Sequence, residues 1–138
     1  MKEKDKEYRT ETDSLGSLRV PASALYGIHA MRAMENFPDK TTFPVEWYQS
    51  VGMVKQACYI TYKKFKTAVE TKYPGKSFHF PVIDDAVIEA MTEAAAEVAD
   101  GKYADQFVVP AVSAGAGTSI NMNVNELIAN VALLKLGF

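Results

Sequence analysis

Cysteine is almost missing from this sequence: Cys58 is the only one among 138 residues. No internal disulfide can form, which fits a reducing compartment and makes a cytoplasmic location the expectation. Histidine is nearly as scarce. His29, His79 and Cys58 are the only imidazole or thiol groups, and no two of them stand at a metal-ligand spacing, so neither a metal nor a cofactor is expected. A nucleophilic pair of Cys58 with a histidine is set aside, because Cys58 falls on an apolar stripe of a long helical pattern, where a free thiol packs as a small hydrophobe. An excess of one charge is lacking too. Fifteen Lys and Arg face 17 Asp and Glu, a formal net charge of -2, so there is no footprint for nucleic acid or an anionic membrane. No apolar run is long enough to span a bilayer. At the start, Lys2, Lys4, Lys6 and Arg9 alternate with Glu3, Asp5 and Glu7, which reads as a flexible solvated tail over residues 1–7 and not as a secretory signal. Gly75-Lys76-Ser77 ends like a P-loop, but that motif requires a glycine five residues before Gly75, and position 70 is Glu70.

What is present is the composition of one globular domain, expected over 8–138: 48% hydrophobic residues, 23% charged, and length enough for a core. Tyr8–Thr12 and Ser17–Val20 read as two short strands around an Asp13–Gly16 turn, with Pro21 ending the second. Ala22 to Phe37 carries helical spacing up to Pro38, irregular near Gly27. Pro44 opens the clearest helical pattern, running to about Val69, with Val51, Val54, Cys58, Tyr62 and Phe65 on one stripe. Lys63, Lys64 and Lys66 near its far end suit the negative pole of the helix and read as a solvated face. A turn at Tyr73–Lys76 and an extended link over Ser77–Pro81 follow. The next helix starts near Ile83 with Asp84 and Asp85 in its first turn. Ile83, Val87, Met91, Ala94 and Val98 form its apolar stripe, Ala94–Ala96 permit close packing, and Gly101 is its cap. After a connector at 102–118 the last helix is expected over 121–136. The fold class is therefore mainly α, a short N-terminal β-hairpin followed by about four helices.

The functional candidate lies at the head of that last helix, in the run Gly115-Ala116-Gly117-Thr118-Ser119. Glycines let backbone approach a ligand, helix-start N–H groups lack internal partners and carry the positive end of the dipole, and two hydroxyls add donors. The same residues also suit an ordinary capped helix, since Ser and Thr are preferred caps. The following helix places Val124, Leu127, Ile128, Val131 and Leu134 on an apolar arc, Asn123, Glu126 and Asn130 on a second face, and Asn121 with Asn125 on a third. Four asparagines in ten residues cost helix propensity, which points to buried hydrogen-bond networks, a ligand or a polar helix contact. Leu133 and Leu136 extend the apolar surface around the helix, more than a lone surface helix carries, so the chain is expected to associate there.

Four blocks, in order and spacing, resemble the N-terminal part of the aspartase/fumarase superfamily. They are Arg9, Glu11, Asp13, Leu15, Gly16, Val20 and Pro21; Tyr26, Gly27, His29, Arg32, Ala33, Glu35, Asn36 and Phe37; Gly101, Lys102, Asp105, Gln106 and Phe107; and the Gly-rich corner with Asn121, Met122, Asn123, Asn125 and Glu126. Ala116 and His29 resemble the aspartate ammonia-lyase branch, where fumarases usually carry serine and glutamine. The resemblance implies domain 1 of that fold and reversible removal of ammonia from L-aspartate to give fumarate, with a class II fumarase as the alternative. It implies substrate contact by Thr118, a pocket shaped by Gly117 and Ser119, and support from Asn121, Asn123, Glu126 and Arg32, the last either near a carboxylate or in a structural ion pair. It further implies that the serine loop and the Thr-His segment of the family lie beyond Phe138, that the last helix continues into a helical bundle, and that sites form between subunits of a homotetramer. No catalytic residue is then expected within 1–138, and the chain alone should not turn over. A non-catalytic short protein that binds a lyase subunit or a dicarboxylate is the reading from a different class.

Overall fold

The computed structural model describes residues 7–76, 82–113 and 116–138. Strands β1 (Tyr8–Asp13) and β2 (Gly16–Pro21) pair antiparallel, Tyr8 opposite Pro21 and Asp13 opposite Gly16, and four helices follow among the described residues: α1 (Ile28–Asn36), α2 (Val45–Lys72), α3 (Asp85–Ala99) and α4 (Thr118–Lys135). The mainly helical architecture with an N-terminal hairpin is the one expected. A short 3-10 turn at Ala104–Gln106 lies in the α3–α4 connector, and the expected link at 77–81 falls outside the described residues.

Three helix boundaries differ from the sequence expectation. Helix α1 begins at Ile28 and not at Ala22, because the Arg9 guanidinium gathers the carbonyls of Pro21, Ala22, Ala24 and Tyr26 at 2.7–3.3 Å and holds that stretch as a non-helical curve. Asp84 stands before α3 as its cap, its carboxylate accepting the Ala86 N–H at 2.8 Å. Helix α4 starts at Thr118, three residues early, since left-handed Gly117 (φ +77°) turns the chain directly into it.

The core lies between α3 and α4, with α1 and α2 on its flanks. Ala90, Ala94, Ala95 and Val98 of α3 face Ile120, Val124, Leu127, Ile128 and Val131 of α4, all buried. Ile88 belongs to the buried side of α3 as well, while Val87 and Met91 are only half-buried. The α2 stripe was misplaced in part: Val51 packs against the core and Tyr62 is half-buried, but Val54 and Phe65 are 61% and 51% exposed and Cys58 is exposed. The side of α2 that meets the core carries Trp47, Tyr48, Val51, Gly52 and Tyr59. Tyr48 stacks on Phe107 with ring centroids 3.9 Å apart. Gly52 lets α2 approach the end of α3 so closely that a Cβ there would lie 2.6 Å from the Ala99 nitrogen. A glycine gives no hydropathy signal, so periodicity assigns the inward face to the larger apolar residues opposite. Leu134, placed on the α4 core arc from sequence, is 61% exposed.

Candidate functional site

The start of α4 carries no side-chain cap. Gly117 precedes it in left-handed conformation and has no side chain to cap it, and no acidic residue occupies its first turn. Among the described residues, the N–H groups of Thr118, Ser119 and Ile120 meet no acceptor; the first closing bond runs from the Asn121 N–H to the Gly117 carbonyl at 3.0 Å. Thr118 is exposed and Ser119 half-buried, so donors and the positive helix pole face a shared cleft. Gly115 of the corner, with Ala114 before it, lies outside the described residues.

That cleft measures about 260 Å³ and is lined by the hairpin tip (Asp13, Ser14, Leu15), by α1 (His29, Arg32, Ala33, Asn36) and by α4 (Thr118, Ser119, Met122). Arg32 does reach it, but its guanidinium is committed: it donates to both Asp13 oxygens at 2.8 Å and to the Gly16 carbonyl at 2.9 Å. The Arg32 hydrogen bonds hold the Asp13 carboxyl below the usual carboxylate range, against the upward push of burial, and raise the Arg32 value in turn. Arg32 therefore braces the hairpin against α1, which is the structural ion pair among the two roles expected for it.

The polar faces of α4 account for its asparagines. Asn123 is fully buried; its Oδ1 accepts from the Val108 and Val109 N–H groups at 3.0 and 3.4 Å and its Nδ2 donates to the Gln106 carbonyl at 3.1 Å. Asn130 donates to the Leu25 carbonyl at 2.8 Å, and Asn121 accepts from the Lys55 ammonium at 2.7 Å. Buried networks, one of the three explanations open to the sequence, explain Asn123 and Asn130.

Glu126 does more than support its own helix. Its carboxylate accepts from the backbone N–H groups of Gly27, His29 and Ala30 at 3.0, 2.8 and 3.1 Å and meets His29 Nδ1 at 3.0 Å. Glu11 of β1 takes the remaining Ile28 N–H at 2.8 Å. Gly27 is required there, since a Cβ would fall 2.8 Å from Glu126 Oε1 and 2.9 Å from Glu11 Oε2. His29 is one of the residues of this cleft, with Asp13 and Asn36, that sequence reasoning left out of the site. Its i, i+3 spacing from Arg32, on one helix face, was the available signal.

Among the described residues no group of three or more His, Cys, Asp and Glu side chains could hold a metal ion, and no helix is long and apolar enough to cross a membrane.

A family model described as Lyase matches residues 16–136. The fumarate hydratase class II of Halobacterium salinarum is 40% identical over 132 residues, covering 95% of this chain and 25% of the relative. An aspartate ammonia-lyase of a Bacillus species is 38% identical over 131 residues, covering 94% and 25%. Among solved structures, a fumarate lyase:delta crystallin from Brucella melitensis superposes with a TM-score of 0.79 at 34% identity, covering 95% of this chain and 26% of its own. The chain spans about a quarter of the length of the curated relatives it matches.

Proposed function

We propose, from the premise that this chain belongs to the lyase family of the aspartase/fumarase superfamily, that it forms the part of an aspartate ammonia-lyase that holds a substrate carboxylate. The observation that carries this reading is the uncapped start of α4, with the Thr118 hydroxyl and helix N–H donors on a cleft shared with α1 and the hairpin. Gly117 lets the backbone approach the ligand, Thr118 contacts it and Ser119 shapes the wall. Asn121, Asn123 and Glu126 fix the corner against α2, the connector and α1, and Arg32 braces the hairpin that forms the opposite wall.

In the proposed reaction a base takes a proton from the carbon next to one carboxylate of L-aspartate. The electron pair first develops on that carboxylate as a dianionic aci form and then forms the C=C bond as the C–N bond breaks, releasing ammonia and fumarate. Preorganised donors aimed at the developing charge lower this barrier, and losing one commonly costs about 3–4 kcal/mol in oxyanion sites. The Thr118–Ser119 corner has the chemistry for that task, but no residue of the chain is assigned as the base. The base comes from a serine loop on another segment, in a cytoplasmic homotetramer whose bundle continues from α4. Leu133, Leu134 and Phe138, 45%, 61% and 83% exposed at the end of α4, support further packing there. The 138 residues by themselves should give no turnover, and should associate through this end.

A second reading, a class II fumarase, is favoured by the 40% identity of the Halobacterium relative. The test begins with the intact mass of the polypeptide in its source cells, detected with an antibody to this segment. A species several times larger is then assayed for fumarate formation from aspartate and from malate. Turnover of aspartate is the expected result; turnover of malate alone moves the function to the fumarase reading. A species near 15.2 kDa, inactive and recovered with a lyase subunit, replaces both with a non-catalytic binding role.

A further inference from the structure

One ring in the cleft is oriented in a way the carboxylate-holding role does not use. His29 meets Glu126 Oε1 twice, through its backbone N–H at 2.8 Å and its ring Nδ1 at 3.0 Å. Glu126 cannot swing away, because its two oxygens also serve the Gly27 and Ala30 N–H groups and its side chain is only 11% exposed. A carboxylate only accepts, so Nδ1 carries the proton in this contact, and in the neutral ring Nε2 remains an acceptor. The other charged groups around the ring are engaged elsewhere. Asp13 and Arg32 are bonded to each other, and Glu11 takes the Ile28 N–H and the Arg9 guanidinium. The His29 side chain is 51% exposed and lines the same cleft as Thr118 and Ser119.

We infer that His29 determines specificity for an amino dicarboxylate: its Nε2 accepts a hydrogen bond from the substrate ammonium while the α4 corner holds a carboxylate. This rests on the dicarboxylate reading of that corner. Backbone N–H groups and a threonine hydroxyl recognise a carboxylate equally well in aspartate and in succinate. Only an acceptor beside them distinguishes a ligand that brings a cationic donor. A fixed tautomer makes that distinction sharp, because an Nε2–H would repel the ammonium it is meant to receive. The Glu126 contact is thus a positioning device that reaches the ligand through His29.

The test uses the 138-residue chain and two probes, L-aspartate and succinate, titrated while the Thr118 and Ser119 amide resonances are followed. Preference for aspartate by about tenfold is expected, the scale of one charge-assisted hydrogen bond. In His29→Asn an amide nitrogen takes the place of Nδ1 and keeps the Glu126 bond, with nothing at the Nε2 position; the aspartate-to-succinate ratio should fall to near one. Nitrogen-15 spectra of the unsubstituted imidazole supply a readout that needs no variant, and should show the neutral ring with its proton on Nδ1 and none on Nε2. A preference that survives His29→Asn, the opposite tautomer, or no preference in the unsubstituted chain overturns the inference while succinate binding persists. If neither probe moves the α4 amides, the dicarboxylate reading itself fails and the inference falls with it.

Discussion

At the start of α1, four consecutive backbone N–H groups end on the carboxylates of Glu11 and Glu126, whereas at the start of α4, among the described residues, no side chain accepts from the first three N–H groups. The peptide dipoles are the same in both places, and neither helix has an acid in its own first turn. A shortage of acids does not explain the difference, since α4 itself supplies Glu126 two turns into its length and delivers that carboxylate to the other helix. The chain satisfies one helix start with its own charges and, among the described residues, leaves the first N–H groups of the other without an acceptor. The filled end is therefore expected to be a stability site and the uncapped end a binding site, and substitutions should separate the two.

The largest effect is expected at the filled end. Glu126→Ala removes the acceptor of three backbone N–H groups and of His29, and should lower unfolding free energy by about 3 kcal/mol, the cost of several buried donors left partly unsatisfied. Urea denaturation measures this directly. A loss comparable to that of an ordinary surface substitution would mean that water replaces the carboxylate and that the contrast between the ends is only apparent. Gly27→Ala tests the same cap from its other side, because the new Cβ would meet both carboxylates within 3 Å. A destabilisation of about 2 kcal/mol is expected from such overpacking.

At the uncapped end the comparable glycine carries a different cost. Gly117 has open space where a Cβ would go, so Gly117→Ala is opposed only by the left-handed backbone and should lose about 1 kcal/mol. The same urea series, run on both glycine variants, places the two costs in order.

How far these roles were visible in the sequence depends on the distance over which they act. The hairpin was legible because its turn and Pro21 are local signals, and the α4 corner because glycines and hydroxyls adjoin there. Contacts between residues some hundred positions apart were not. Glu126 on the Gly27 N–H and Asn130 on the Leu25 carbonyl lie 99 and 105 residues from their partners, so the sequence displayed the asparagines as unexplained without showing what they hold. The inward face of α2 was missed for a different reason. Its contact with α3 is built on Gly52, which bears no side chain for a periodicity to register, while Val54, Cys58 and Phe65 draw the pattern to the exposed side.

Acid should distinguish the two ends without any substitution. Asp13, clasped by Arg32 at the hairpin tip, has its carboxyl held below its ordinary value of 3.8. A carboxyl lowered on folding contributes stability above its unfolded value and loses it as pH falls through the folded one. Amide exchange at Leu15, whose N–H donates to Asp13 Oδ1 at 2.9 Å, should therefore keep its protection at neutral and mildly acidic pH. Protection should be lost only below pH 3.8. Thr118 and Ser119, whose N–H groups meet no carboxylate among the described residues, should show no loss of protection through that window. A matching step at both ends would mean that Asp13, which lines the cleft shared with Thr118 and Ser119, acts on both.

The smallest effect on stability is expected where the functional effect is greatest. Thr118→Val keeps the β-branched shape of an exposed residue whose hydroxyl makes no cap bond, so unfolding free energy should stay within about 0.5 kcal/mol of the unsubstituted chain. Succinate affinity at the α4 amides should nevertheless fall about tenfold if the hydroxyl holds a carboxylate. A stability loss of the size expected for Glu126→Ala would make Thr118 a structural residue like its counterpart on α1. Unchanged stability and unchanged affinity together would leave only the backbone N–H groups as donors, and the hydroxyl would drop out of the site.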